Sequence, residues 1–255
     1  MSCSISATMV PPYTHLAADY DAIFGLPFFR QIRHVFETLA RKYGIRFQSA
    51  ADIGCGTGLF ARHLNLSRQI PVFAVDLSEP MLRIAQRNCC GAKVTLLRQD
   101  IRSLRLPHPV DLITANFDTL NHLVRFRDLQ NTLQRIFDNL NEGGHLIFDL
   151  ITRCLPLDRA GSYIRQFYRP RRRVVQVVRL NPLRNILSVA VTINSSRLSK
   201  PIVEQHCERA YSTGEVGRAL HETGFSILGV HDAATLTLAG RCPSRIIVVA
   251  RKAMK

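Results

Sequence analysis

Long apolar runs, paired cysteines and internal repeats are missing from this sequence. No run of eighteen apolar residues occurs, and the leading Met1-Ser2-Cys3-Ser4 has no basic stretch followed by an apolar one. Neither a membrane span nor a secretory signal is therefore expected. The cysteines (3, 55, 89, 90, 154, 207, 242) are odd in number and scattered, and none are spaced Cys-x-x-Cys. That pattern suggests neither a zinc site nor a disulfide framework, so no metal is expected and a reducing cytoplasm fits. Lysine is scarce: five of the 34 basic residues, the rest arginine, in a chain of formal net charge +15. Such a charge invites a nucleic-acid partner. Yet the one basic cluster, Arg169-Pro170-Arg171-Arg172-Arg173, lacks interleaved aromatic rings for stacking bases. It reads equally as a solvated face or a site for an anionic small molecule.

What is present suffices for one large α/β domain, or a core with a small insertion, since 255 residues with 46% hydrophobic content bury a sizeable core. Residues 1–10 are expected to be disordered. Tyr13, Leu16, Ala17, Tyr20 and Phe24 then recur at helical spacing, which puts two tyrosines on one face. A second helix is expected from Phe28 to Tyr43, stopped by Gly44. Short apolar runs follow at Ser49 to Ile53, Pro71 to Asp76, Val94 to Leu97 and Val110 to Ala115. Helical patterns alternate with them, one capped by Ser78 with Pro80 in its first turn. Another carries Leu129, Leu133, Ile136, Phe137 and Leu140, with Asn141-Glu142-Gly143-Gly144 as its end and a strand from His145 to Leu150. This alternation implies a parallel sheet with right-handed crossovers.

After residue 151 the rhythm changes. Val174 to Leu180, a turn at Asn181-Pro182 and Ile186 to Ile193 read as a hairpin flanked by Tyr163 to Tyr168 and Ile202 to Tyr211. Ser212 and Glu215 form a capping box for a helix ending at Gly224, and two last strands close the chain. The expected organisation is an N-terminal helical lid (1–44), a core (45–151 and 211–255) and a β-rich insertion over the acceptor site (152–210).

Chemistry enters at Ala50-Ala51-Asp52-Ile53-Gly54-Cys55-Gly56-Thr57-Gly58, a strand closed by an acid and followed by alternating glycines. In a dinucleotide fingerprint a small residue would stand at Leu59; here the third glycine comes one residue early. Acids also close the next two strands, at Asp76 and Asp100. Ligands of open α/β sheets bind beyond the carboxyl ends of the strands, so the three acids converge on one crevice. An acid after the second strand suits two ribose hydroxyls, and no lysine or arginine accompanies the glycines for a pyrophosphate. Three carboxylates in a basic chain point to a cationic nucleoside, and S-adenosylmethionine fits.

The runs Ala51 to Gly58, Ala74-Val75-Asp76-Leu77-Ser78-Glu79-Pro80-Met81-Leu82, Gln99-Asp100-Ile101 and Val110-Asp111-Leu112-Ile113 together resemble the class I S-adenosylmethionine-dependent methyltransferases, across about residues 45–150. The N-terminal Tyr13-Thr14-His15-Leu16-Ala17-Ala18-Asp19-Tyr20-Asp21, the insertion and Glu208-Arg209-Ala210-Tyr211 resemble the small-molecule branch, which includes sugar N-methyltransferases. The resemblance implies a Rossmann-like α/β fold: seven strands in the order 3-2-1-4-5-7-6, the last antiparallel, with helices on both faces and a small antiparallel β insertion. It implies that Gly54, Cys55, Gly56 and Gly58 carry the methionine portion, with Asp52 near its amino group. Asp76 and Leu77 would hold the ribose, Met81 would pack on adenine, and Asp100 and Ile101 would flank the adenine amino group. Asn116 and Phe117 would line the sulfonium end.

For the acceptor, His122, Tyr13, Tyr20 and His206 are the candidate catalytic residues, with Asp118, Asn121 and Glu204 beside them. Glu204, His206 and Glu208 alternate onto one strand face. The amino-methylating DNA enzymes of this class carry prolines where this chain reads Asn116-Phe117-Asp118-Thr119. The expected activity is methyl transfer to nitrogen or oxygen of a small molecule. An RNA methyltransferase and a non-catalytic cofactor-binding module are the alternatives.

Overall fold

In the computed structural model, residues 7–240 and 242–253 are described, and they build two sheets. The expectation of disorder over residues 1–10 lies outside the described residues for 1–6 and is corrected for the rest. Strand β1 (Thr8–Val10) pairs in parallel with Ile202, Val203 and Glu204, because these β-favouring residues complete an otherwise open sheet edge. Helices α1 (Ala17–Tyr20) and α2 (Leu26–Lys42) are joined by a π-helical turn over Asp21–Gly25 into one continuous stretch. Tyr13 stands before this stretch in a turn at φ +63°, so the two tyrosines meet through a bend and not on one helical face.

Strands β2 (Ala50–Ile53), β3 (Val72–Asp76), β4 (Val94–Arg98), β5 (Val110–Ala115) and β6 (Leu140–Ile151) are parallel. Helices α3 (Leu59–Arg68), α4 (Glu79–Asn88) and α5 (Phe126–Asp138) make three of their crossovers. Helix α5 ends at Asp138, and residue 140 already belongs to β6, so residues 141–144 do not terminate the helix as expected. They bulge from the strand instead: pairing jumps from Val110–Leu140 to Leu112–His145, and Gly143 takes φ +71°.

The smaller sheet contains β7 (Ser162–Arg169), β8 (Arg172–Asn181), β9 (Ile186–Ser195) and β10 (Ile202–Arg209), an antiparallel meander with β1 on its open edge. Helix α6 (Thr213–Thr223) starts at the Ser212 capping box, and β11 (Phe225–Asp232) and β12 (Arg245–Lys252) return to the large sheet. That sheet has the order β11-β12-β6-β5-β2-β3-β4 with β12 antiparallel to both neighbours. Counted among the core strands alone, this is 3-2-1-4-5-7-6.

Period-two alternation sends β6 side chains to opposite faces: Leu146, Phe148 and Leu150 toward α5 and α6, Ile147 toward α2 and α3. The small sheet shares its apolar face with the N-terminal helix, since Val174, Val189, Val191 and Ile193 cluster with Leu16, Ile23 and Phe24. No helix of the described residues is long and apolar enough to cross a membrane. One cysteine expectation is corrected. Cys154, just after β6, is disulfide-bonded to Cys242, just before β12, because pairing of these strands brings residues 88 apart to a Cα separation of 5.5 Å.

Candidate active site

A cleft of about 720 Å³ opens beyond the carboxyl ends of β2, β3, β4 and β5 and reaches under the N-terminal segment. Its lining includes Tyr13, Tyr20, Asp52, Gly54, Cys55, Gly56, Asp76, Leu77, Met81, Asp100, Ile101, Asn116, Phe117, His122 and His206. Gly58 is the sequence-predicted residue that stands apart. At φ +77° it caps α3, and a Cβ there would meet Cys89 Sγ at 2.9 Å, so its role is to let α3 and α4 approach.

The two glycines before it serve different needs. Gly54 (φ +65°) has Thr119 against it, where a Cβ would fall 2.2 Å from Oγ1. Gly56 (φ +53°) has nothing within 4 Å of a built Cβ, so bare backbone faces the cleft. Cys55 between them is buried, and burial holds its thiol well above the usual range; it is no nucleophile.

The acids differ in state. Asp52 is 2% exposed and accepts from Thr114 Oγ1 (2.8 Å) and Asn116 Nδ2 (3.4 Å). Burial outweighs these bonds and pushes its carboxyl up to about 7, as for an anion short of a cation. Asp76 accepts from Gly56 N–H and Ser78 N–H, both at 2.8 Å, and burial raises it too. Each of its oxygens keeps a lone pair for a ligand. Asp100 is held below the carboxylate range by Arg102, which bonds both of its oxygens. The other rim arginines, Arg83 and Arg98, pair with Glu79. Met81, capped by Ser78 Oγ, is buried in the first turn of α4.

At the far end, aromatic rings close over the cleft. Phe117 stacks on Phe28 (4.1 Å, 10°) and lies 6.0 Å from Tyr20. Tyr13 stacks on His206 (5.6 Å), and its hydroxyl lies 3.3 Å from His122 Nε2. Burial drops His122 to about 4, leaving a neutral imidazole, and raises both tyrosines well above 10.

Three further candidates have structural duties. Glu204 accepts from the N–H groups of Tyr13 (2.7 Å), His15 (2.6 Å) and Leu16 (3.0 Å), capping α1 and fixing Tyr13. Asn121 bonds Ile151 and the Arg209 carbonyl (2.7 Å). Asp118 pairs with Arg245, which also pairs with the fully buried Asp149. Burial, opposed by Arg245 and reinforced by Asp149, pushes Asp118 up to about 8.

Sequence reasoning missed several of these groups. Asp149 receives the N–H groups of Phe117 and Asp118, both left-handed (φ 59° and 62°), and so shapes the loop beneath the cleft. Asp21 accepts from Thr57 and Asn88, tying the N-terminal helix to the glycine loop. Nothing local marks either acid. Glu208, which strand alternation had placed on one face with Glu204 and His206, bonds His206 Nε2 at 3.0 Å.

An open seven-stranded sheet with its last strand reversed, a strand-end acid row and a bare glycine turn define a class I methyltransferase fold. Residues 50–144 match the family model described as a methyltransferase domain. A Geobacillus sp. (strain WCH70) protein named as a methyltransferase is 38% identical over 101 residues, 39% of this chain and 40% of that protein. The chain thus spans well under half the length of this curated relative. A solved S-adenosylmethionine-dependent methyltransferase from Clostridium acetobutylicum ATCC 824 superposes with TM-score 0.80 at 23% identity, covering 94% of this chain and 99% of the other. CalS10, an amino pentose methyltransferase from Micromonospora echinaspora solved with S-adenosylmethionine bound, has TM-score 0.70 at 18% identity over 91% and 96%. Residues 50–144 thus match a methyltransferase domain, and the chain has the fold of the S-adenosylmethionine-dependent methyltransferases.

Proposed function

We propose that this chain transfers a methyl group from S-adenosylmethionine to a nitrogen or oxygen atom of a small molecule by in-line displacement. The observation that carries the reading is one continuous cleft, with carboxylates and bare glycine backbone at one end and neutral His122 under an aromatic cover at the other. Its volume of about 720 Å³ falls in the range that holds small ligands. The cofactor end suits a cationic nucleoside: Asp52 has no cation paired with it among the described residues, Gly56 leaves room against the backbone, and the rim arginines are spent on Glu79 and Asp100.

When bound, S-adenosylmethionine supplies a methyl already activated on its sulfonium. The protein aligns and dries the site. Asp52 holds the amino group, Asp76 the ribose hydroxyls, and Met81, Asp100 and Ile101 the adenine. Asn116 and Phe117 shape the sulfonium end. Residues 1–44 and 152–210 act as the cover, with Tyr13 and Tyr20 over the acceptor and His122 or His206 receiving a proton where the acceptor must lose one. The amino pentose activity named for CalS10 supports a metabolite acceptor.

The test is transfer from methyl-labelled cofactor to panels of amines, hydroxylated metabolites and RNA. Label in a metabolite and none in RNA is expected. Label in RNA alone overturns the acceptor class, and cofactor binding without turnover on any panel leaves a binding module. Asp76→Ala should abolish cofactor binding; unchanged affinity refutes the cofactor site.

A further inference from the structure

We propose that His122, His206 and Glu208 form a binding site for one divalent transition-metal ion of the zinc type, at the acceptor end of the cleft. One ring nitrogen of each histidine and one Glu208 oxygen lie within 4.8 Å of one another. Around a tetrahedral ion with bonds of about 2.0–2.1 Å, ligand atoms stand roughly 3.3 Å apart. Side-chain rotation closes that difference.

The backbone that carries the three groups is already fixed. His206 and Glu208 share a face of β10 by strand alternation, and both stand in register with β9, opposite Val189 and Leu187. His122 ends the 3-10 turn Thr119–His122, whose Asn121 side chain donates to the carbonyl of Arg209 at 2.7 Å. The residue before one ligand is thus tied to the residue after another.

Two imidazoles and a carboxylate are the donor set of borderline divalent ions, in closed zinc sites and in open two-histidine, one-carboxylate sites alike. Charge points the same way. Arg245, the nearby guanidinium, is shared by Asp118 and Asp149, and the ion-pair contact of Glu208 among the described residues is His206. Buried carboxylates are paired or coordinate metals. In this cluster Tyr13, His122, His206 and Glu208 together offer more lone pairs than protons. His122 and His206 both line the cleft, so an open coordination position would face it. That the position receives the acceptor heteroatom rests on the methyl-transfer reading, and with the ion in place both imidazoles are ligands and neither takes the acceptor's proton; the metal site itself does not rest on that reading.

The experiment uses the full chain without an affinity tag, stripped with chelator, in the absence of cofactor and acceptor. Titrated Co²⁺ should bind at one equivalent with visible d–d bands, and Zn²⁺ should displace it. Two paramagnetically shifted, exchangeable histidine N–H signals should appear in the wild-type Co²⁺ protein. His206→Ala and Glu208→Gln should each weaken binding by about 100-fold or more, since even an outer-shell partner is worth roughly 10–100-fold. No Co²⁺ bands in the wild type, no histidine signals, or undiminished affinity in both variants overturns the proposal. Cofactor affinity, measured separately, reports on the methyltransferase reading and on the folding of each variant.

Discussion

Arg245 is the place where removal of one side chain should cost most. Its guanidinium is shared by Asp149, which has no exposure, and Asp118, which is 8% exposed, and it lies over the rings of Phe28 and Phe117. Arg245→Met keeps much of the apolar stem and leaves two buried carboxylates without a cation. Breaking a buried pair in this way costs about 3–5 kcal/mol, and the 22% exposure of the Arg245 side chain argues for the lower end, about 3 kcal/mol. With a urea slope of about 3 kcal/mol/M, the midpoint should fall by about 1 M. The pH dependence carries a sign. Asp118 already has its folded pKa raised to about 8, above the unfolded value, and the variant raises it further. From about pH 5 to 8 the folded state of either protein binds this proton and the unfolded state does not, so the Asp118 part of the deficit is level over that range. It grows above about pH 8, where only the wild type, with Arg245 beside the carboxylate, readily releases the proton. Adding Asp118→Asn and Asp149→Asn should restore part of the loss. Urea unfolding within 1 kcal/mol of wild type at pH 8 would refute the charge argument.

Asp52 should make cofactor binding pH-dependent: affinity falls about tenfold per unit below about pH 6, as a carboxyl raised to about 7 by burial takes up its proton. Because the folded pKa exceeds the unfolded one, ionised Asp52 costs stability as pH rises toward 7, so Asp52→Asn should melt higher without cofactor while binding it weakly. A flat affinity profile from calorimetry between about pH 5 and 8 counts against this. The two cleft glycines should separate. Gly54→Ala drives a Cβ to 2.2 Å from Thr119 at positive φ and should lose about 3 kcal/mol of stability. Gly56→Ala should lose only about 1–2 kcal/mol and chiefly weaken cofactor affinity; equal losses of stability would show the loop is placed differently. The Cys154–Cys242 bridge, spanning 88 residues, is worth about 3–4 kcal/mol, so a reductant should lower the melting temperature by about 10 °C. Unchanged melting, with all thiols titrating in denaturant, would return the chain to the reducing setting expected from its cysteine spacing.

Much of the frame was written locally. Strand-and-helix alternation, acids at the ends of three strands and left-handed glycines after the first are set by periods of a few residues, and they suffice for the sheet and for the acids and glycines that line one end of the cleft. Even the misread stretch at residues 140–144 failed only in where a helix yields to a strand, because Gly143 and Gly144 suit a helix end and a strand bulge alike. The tertiary structure alone decided the rest. Glu204 reaches back 191 positions to fix Tyr13, Arg245 joins Asp118 and Asp149 under the Phe117 turn, and Cys154 finds Cys242. None of these partners has a local signature, since their meeting depends on β10 and β12 being laid beside segments far away in the chain. His122 and His206 likewise become neighbours, 4.9 Å apart, only when the small sheet folds onto the end of the large one.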